Sequence, residues 1–366
     1  MFKKIIFWKS LATLTTLCIL FGGVSLFAAP PRDINYGHAL SRAVNRNPSI
    51  SPLDREARQA FALADRMREE RTAIVNYDRD AADALYGQML IATAQGNILR
   101  REREQAMANV ELALRRHLAN IAENEERTFL LEGNITLMEL MMEQTELRHQ
   151  HGMASEVELR ELTHNLDQVR LQLEMLSLAQ QNERQELNRL INWQITANIR
   201  LVYSTEVEPI PELDDRGIRR LAAMCHSYLG WEDVAVARRY EWQRQLDDPE
   251  VDNAYGRLQT RLAVIERDLA ERQAETNVRA ILAEWEQLIE EEAAIQADIE
   301  QAQEALETVI SRLEAGMAIP IEVFSAELAV AAEEARMSRL AYDFWILRLQ
   351  VDHPYIRSRV SPSMRP

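Results

Sequence analysis

The chain has 366 residues, enough for two or three ordinary domains or for one very elongated one. Its formal net charge is −16, from 42 Lys and Arg against 58 Asp and Glu, which argues against a general nucleic-acid binder because phosphate neutralisation needs a basic footprint. Only 11 Gly, 11 Pro and 6% aromatic residues beside 47% hydrophobic ones point to long helices and away from sandwich, barrel or α/β folds.

Residues 1–29 read as a secretory signal peptide. Lys3, Lys4 and Lys9 form the positive end, Leu11 to Leu26 the apolar run, and Ala28-Ala29 the small-residue close. An uncleaved anchor is the alternative, but the segment is short for a full span. Those are the three lysines of the chain, so their removal takes the charge from −16 to −19. Cys18 follows Leu17, which does not suit a lipoprotein, and Cys225 is then the one mature thiol. No later apolar run is long and uncharged enough to cross a membrane.

The first repeat is expected over 30–192. A short helix from Ile34 to Asn47 stops before Pro48. After Pro52 no proline occurs until Pro209, which permits very long helices. Leu159, Leu162, Leu166, Val169, Leu173 and Leu176 alternate steps of three and four, and the register resumes at Leu187 and Leu190 after polar Gln180 and Glu183. That spacing predicts supercoiled helices packed knobs-into-holes. The chain reverses at Gly152-Met153-Ala154-Ser155. The glycine ends one helix, and Ser155 with Glu158 forms a capping-box pattern for the next.

A linker covers 193–215. Ile195 to Tyr203 is β-branched and expected to be extended, and Pro209 and Pro211 stop any regular element. The second repeat, 216–350, opens on a short amphipathic helix from Ile218 to Leu229 that carries Cys225, a buried thiol. The seam Ile281, Trp285, Leu288, Ile295, Ile299, Ala302, Leu306, Val309 and Leu313 follows, with Glu292 as its polar exception. A return run holds Val323, Ala326, Val330, Met337, Leu340, Phe344 and Leu347. Gly316-Met317-Ala318 reverses the chain, with Pro320 suited to the first helical turn. Gly-Met-Ala and a Glu six residues after the Gly recur in both turns, 164 residues apart. The expected fold is therefore all-α, a tandem duplication of long antiparallel coiled-coil hairpins with little or no strand, and residues 351–366 a disordered tail.

These features resemble the TolC-like outer membrane efflux protein family. The residues that carry the likeness are Ala39-Leu40-Ser41-Arg42-Ala43-Val44-Asn45-Arg46-Asn47-Pro48, the turn after Arg148, Leu187-Asn188-Arg189-Leu190-Ile191-Asn192, the turn after Arg312 and Ala341-Tyr342-Asp343-Phe344. The resemblance implies a trimer forming a hollow helical cylinder in the cell envelope, outer membrane or periplasm, that works with a periplasmic adaptor and an inner-membrane pump. Gly152, Met153, Ala154, Ser155, Gly316, Met317 and Ala318 would be the adaptor-docking turns, and Glu158 and Glu322 entrance carboxylates that select cations. A capping turn accounts for the same residues with no partner at all. The family also implies barrel strands near 50–80 and 232–257. Asp54-Arg55-Glu56-Ala57-Arg58 and Arg238-Arg239-Tyr240-Glu241-Trp242 do not alternate as membrane strands must.

No constellation for catalysis, cofactor or metal stands out. There is no Gly-rich phosphate loop or Ser/His/Asp arrangement, and His149, His151 and His164 read as exposed. The alternative to a conduit is an exported coiled-coil interaction protein without a channel. A conduit needs a second apolar seam beside the first, and Leu171, Leu178, Val264, Leu282 and Ile289 are candidates for it.

Overall fold

A computed structural model describes residues 32–211, 213–246 and 253–357. The proposed signal peptide lies outside them. The order is β1 (Arg32–Asn35), α1 (Tyr36–Arg46), α2 (Ile50–Ile74), α3 (Arg79–Gln150), α4 (Glu156–Leu190), β2 (Ile199–Val202), α5 (Asp215–Ala222), α6 (His226–Leu246), α7 (Asn253–Glu314) and α8 (Pro320–Asp352), with a 3₁₀ turn at Pro354–Arg357. The 72 residues of α3 span about 108 Å at 1.5 Å per residue. The all-α duplication expected from the sequence is the fold of the chain, with one two-stranded sheet among the described residues.

The predicted seams are the packed faces. Leu166, Leu176 and Leu187 of α4 are buried against α3, and Ile281, Trp285, Ile295 and Ile299 of α7 against α8. Glu183 interrupts the first seam because it meets His117 of α3 at 2.8 Å. The α3 and α8 helices also pack on each other, through Arg339 to Glu123 (3.3 Å) and Leu328 beside Gly133. The four long helices thus form one wall in the order α4, α3, α8, α7.

At the upper end of the wall, β1 and β2 pair in parallel with Ile34 opposite Leu201, both buried. The extended Ile195–Tyr203 stretch thus finds its partner at the start of the described chain. Ile34, Ala39, Ala43, Leu114, Leu187, Ile191 and Trp345 make one core there. Two segments that carried the family resemblance meet in it. Arg42 donates to the carbonyls of Ile191 (3.3 Å) and Asn192 (2.7 Å) and lies 4.3 Å from the Trp193 ring centre. Buried Asn188 donates to the carbonyls of Ile195 and Ala197, both at 2.9 Å, and so holds the linker. Burial and the Glu111 carboxylate push the Tyr36 phenol up to about 12, so it stays neutral and donates to Glu111 at 3.2 Å.

Where the family resemblance implies membrane strands, residues 50–74, 226–246 and those from 253 onward are helical. The α2 and α6 helices pack on the first turns of α3 and α7 and form a four-helix collar in the order α2, α3, α6, α7. Small residues make this possible: Ala57, Ala60 and Ala64 of α2 and Ala92, Ala94 and Gly96 of α3 are all buried here. A Cβ on Gly96 would lie 2.8 Å from the Phe61 ring. Arg101 and Asp233 bridge α3 to α6 at 2.7 Å in a largely buried pair.

Two expectations need correction. The second opening helix is not continuous from Ile218 to Leu229. It breaks after Ala222, and Cys225 lies in the break, fully buried among Ile218, Ala222, Ala274 and Val278. Burial pushes its thiol up to about 11. The segment 351–357 is packed rather than disordered. Val351 and Pro354 are buried, and Arg357 grips the Glu284 carboxylate with two bonds of 2.8 and 2.5 Å. An apolar continuation of α8 and a bidentate Arg outweigh what a tail with three prolines suggests. Residues 358–366 lie outside the described part.

Candidate docking turns

The two reversals are built alike. At the first, the Met153 N–H donates to Arg148 (2.8 Å) and the Gly152 N–H to His149 (2.8 Å). At the second, Met317 donates to Arg312 (2.7 Å) and Gly316 to Leu313 (2.9 Å). Both are Schellman closures, which need a left-handed residue after the helix. Gly152 has φ +74° and Gly316 φ +71°, a region that costs other L-residues steric energy. Nothing lies within 4 Å of where a Cβ would sit on either, so the backbone angle alone calls for glycine. Arg148 and Arg312 each reach over to the carbonyl two residues past the cap, Met153 and Met317, at 3.4 Å. The 164-residue repeat already marked these arginines in the sequence.

The starts of the return helices differ. Ser155 Oγ accepts the Glu158 N–H at 3.2 Å, and Glu158 is exposed in the first turn of α4. Ile319 has no such acceptor. There Glu322 accepts the Ile319 N–H at 3.4 Å and stands 3.4 Å from Arg312. One carboxylate thus faces solvent and the other is tied to its own turn. At the tips, Met153 is 62% and Met317 67% exposed, flanked by exposed Val157 and Ile319. Val157 and Ile319 escaped the sequence reading because they sit outside the Gly-Met-Ala match. His149 donates through Nδ1 to the Ala154 carbonyl at 2.8 Å, and His164 bonds Gln168, so the histidines near the turn serve separate local contacts.

The turns are not level. Gly133 of α3 stands beside Leu328 of α8. Nineteen residues lead from Gly133 to Gly152, but twelve from Leu328 back to Gly316. The seven-residue difference puts the first turn about 10 Å further along the wall at 1.5 Å per residue.

The lateral candidates divide. Leu171, Leu178 and Ile289 are exposed on the two edge helices, α4 and α7. Val264 packs inside the collar with Ile98 and Val234, and Leu282 against the Cys225 cluster. Sequence reasoning missed Met175, exposed between Leu171 and Leu178, and an exposed run on α7 from Leu258 to Leu269. Their three- and four-residue spacing was the available signal.

The sequence matches no protein-family model and no curated protein. Among solved structures, the chain is similar to the outer membrane protein VceC of Vibrio cholerae, at 13% identity over 87% of this chain and 95% of that one, with a TM-score of 0.60. It is similar to the CmeC outer membrane channel of Campylobacter jejuni at 12% identity, covering 87% and 85%, with a TM-score of 0.59. The open MtrE outer membrane channel of Neisseria gonorrhoeae gives 12% identity, 90% and 93%, and 0.54. At such identities the likeness is one of fold.

Proposed function

From the TolC-like fold as premise, we propose that the chain is an exported envelope efflux or secretion component. Copies of it, three by family resemblance, close into a helical conduit. The turns at Gly152–Ser155 and Gly316–Ala318 dock a periplasmic adaptor of an inner-membrane pump. The carrying observation is that the wall has two different open edges and both carry exposed apolar residues. The α4 edge shows Leu171, Met175 and Leu178, and the α7 edge shows Ile289 and Ile310. Unlike edges that fit each other join head to tail, and close a ring when the rotation from copy to copy closes. Exposed Met153 and Met317 on open turns suit an adaptable apolar contact with a partner hairpin. Exposed Glu158 on every copy would place a ring of carboxylates near that contact.

One observation favours the other reading, an exported coiled-coil spacer without a channel. Residues 50–74 and 226–246 are helices where the resemblance implies membrane strands. Light scattering and negative-stain imaging of residues 30–366 without detergent separate the two. A hollow cylinder of fixed copy number supports the conduit. An elongated monomer at every concentration moves the reading to the spacer. In the assembled protein, the double variant Met153→Glu/Met317→Glu is expected to abolish capture of an adaptor hairpin and leave the copy number unchanged.

A further inference from the structure

The upper third of α7 carries a second apolar stripe on the face turned away from its own chain. Leu258, Leu262, Ile265 and Leu269 follow one another at steps of four, three and four, and are 63, 56, 55 and 52% exposed. The opposite face of the same helix is already occupied. Ala263, Ala274 and Val278 are buried within the chain. A strict three-four stripe is the pattern of a coiled-coil seam rather than of a broad core face.

Its place in the collar limits what can cover it. The collar runs α2, α3, α6, α7, so α7 is its last helix and α2 its first. A neighbour that continues the head-to-tail order presents α2. The heights agree. Thr260 bonds the Arg238 carbonyl, Tyr240 packs on Tyr86 and beside Gly87, and Arg71 covers Tyr86, so residues near 260 of α7 and near 70 of α2 share one level. The helices are antiparallel, which brings Ile265 to the stretch of α2 that carries Leu63, itself exposed. Exposed Arg261 comes level with exposed Glu69 and Glu70. A membrane-surface helix would carry a polar face rich in Lys and Arg. Here Arg257, Arg261, Arg267 and Arg272 are interspersed with Glu266, Asp268 and Glu271, and Arg267 is paired with Asp268 at 2.7 Å, on a chain of net charge −16.

We propose that Leu258, Leu262, Ile265 and Leu269 form a seam onto α2 of a second copy of this chain, so that the collar is itself an assembly element. The proposal rests on the head-to-tail conduit and extends it above the wall. The collar then supplies cohesion between copies with helices alone.

The test uses the full chain in detergent-free buffer. Leu63→Cys combined with Ile265→Cys is expected to give, on oxidation, a ladder of disulfide-linked copies ending at the assembled number, while either single cysteine gives none. Leu262→Glu/Ile265→Glu is expected to raise the concentration of half-assembly roughly tenfold or more, with helicity by circular dichroism unchanged. Leu171→Glu/Met175→Glu probes the lower edge in parallel. If the lower-edge variant falls apart while the collar variant stays assembled and the cysteine pair does not link, the collar seam is wrong and the conduit stands. A wild-type monomer overturns both. Flotation of the wild type with anionic vesicles, lost in the collar variant and without cross-linking, would assign the stripe to a lipid surface instead.

Discussion

The wall and the collar are both made of long helices, yet they are packed by opposite means. In the wall, large side chains such as Leu114, Ile281, Trp285 and Ile295 fill the space between helices. In the collar, Ala57, Ala60, Ala64, Ala94 and Gly96 remove side chains so that the backbones approach. At these positions the wall tolerates no loss of volume and the collar no gain, although the wall has one site as tight, Gly133, where a Cβ would lie 2.7 Å from Leu328. That contrast has measurable signs.

The largest effect is expected in the wall core. Leu114→Ala leaves a cavity at a fully buried position and should cost about 3 kcal/mol by thermal or denaturant unfolding. A loss under 1 kcal/mol would show that the upper wall is loosely filled and the contrast false. Next comes the collar. Gly96→Ala gains about 1 kcal/mol of helix propensity but drives a methyl into Phe61, and a net loss of about 1–2 kcal/mol is expected. In a Phe61→Ala background Gly96→Ala should instead stabilise, by the propensity gain; a stabilised single variant would mean the collar has slack.

The turns sharpen the comparison, since they are open to solvent and owe nothing to packing. Gly152→Ala and Gly316→Ala should each cost about 1 kcal/mol, equal within a few tenths, because φ is the shared cause. Asn at either place should cost less than Ala. The smallest effect is electrostatic. The Arg357 bonds hold the Glu284 carboxyl below the usual range, so that pair stabilises the fold above the ordinary glutamate range and is lost as pH falls through the depressed value. Glu284→Gln should therefore be less stable than wild type by a few tenths of a kcal/mol at neutral pH, the pair being partly exposed, and the gap should close in acid.

The same contrast explains what the sequence revealed. Wall helices announce themselves through Leu and Ile at three-four spacing, and the two turns through a glycine with a repeated Met-Ala. The strand pair was legible at Ile199–Val202 but not at Arg32–Asn35, where four residues ahead of a helix carry one buried side chain, Ile34. An alanine seam is silent to a pattern drawn from large apolar residues, so the collar was seen only as a failure to alternate. The break at Cys225 was hidden because Leu221, Ala222, Ala223 and Met224 ahead of it are good helix formers and no Gly or Pro marks it. Of the candidate site, the closures and Arg148 and Arg312 were readable from the 164-residue repeat. Which carboxylate is tied down was not, since it depends on Ser155 standing where the second turn has Ile319.

The uneven turns set the symmetry of any rim they build. Two level hairpins per chain would give a ring a crown of equivalent points, twice as many as copies. An offset of about 10 Å splits that crown into tall and short points, one of each per chain. A partner lowered onto it meets the tall points first and can count chains rather than hairpins. To seat on all of them it must offer legs of two lengths, or two legs of one length bent differently.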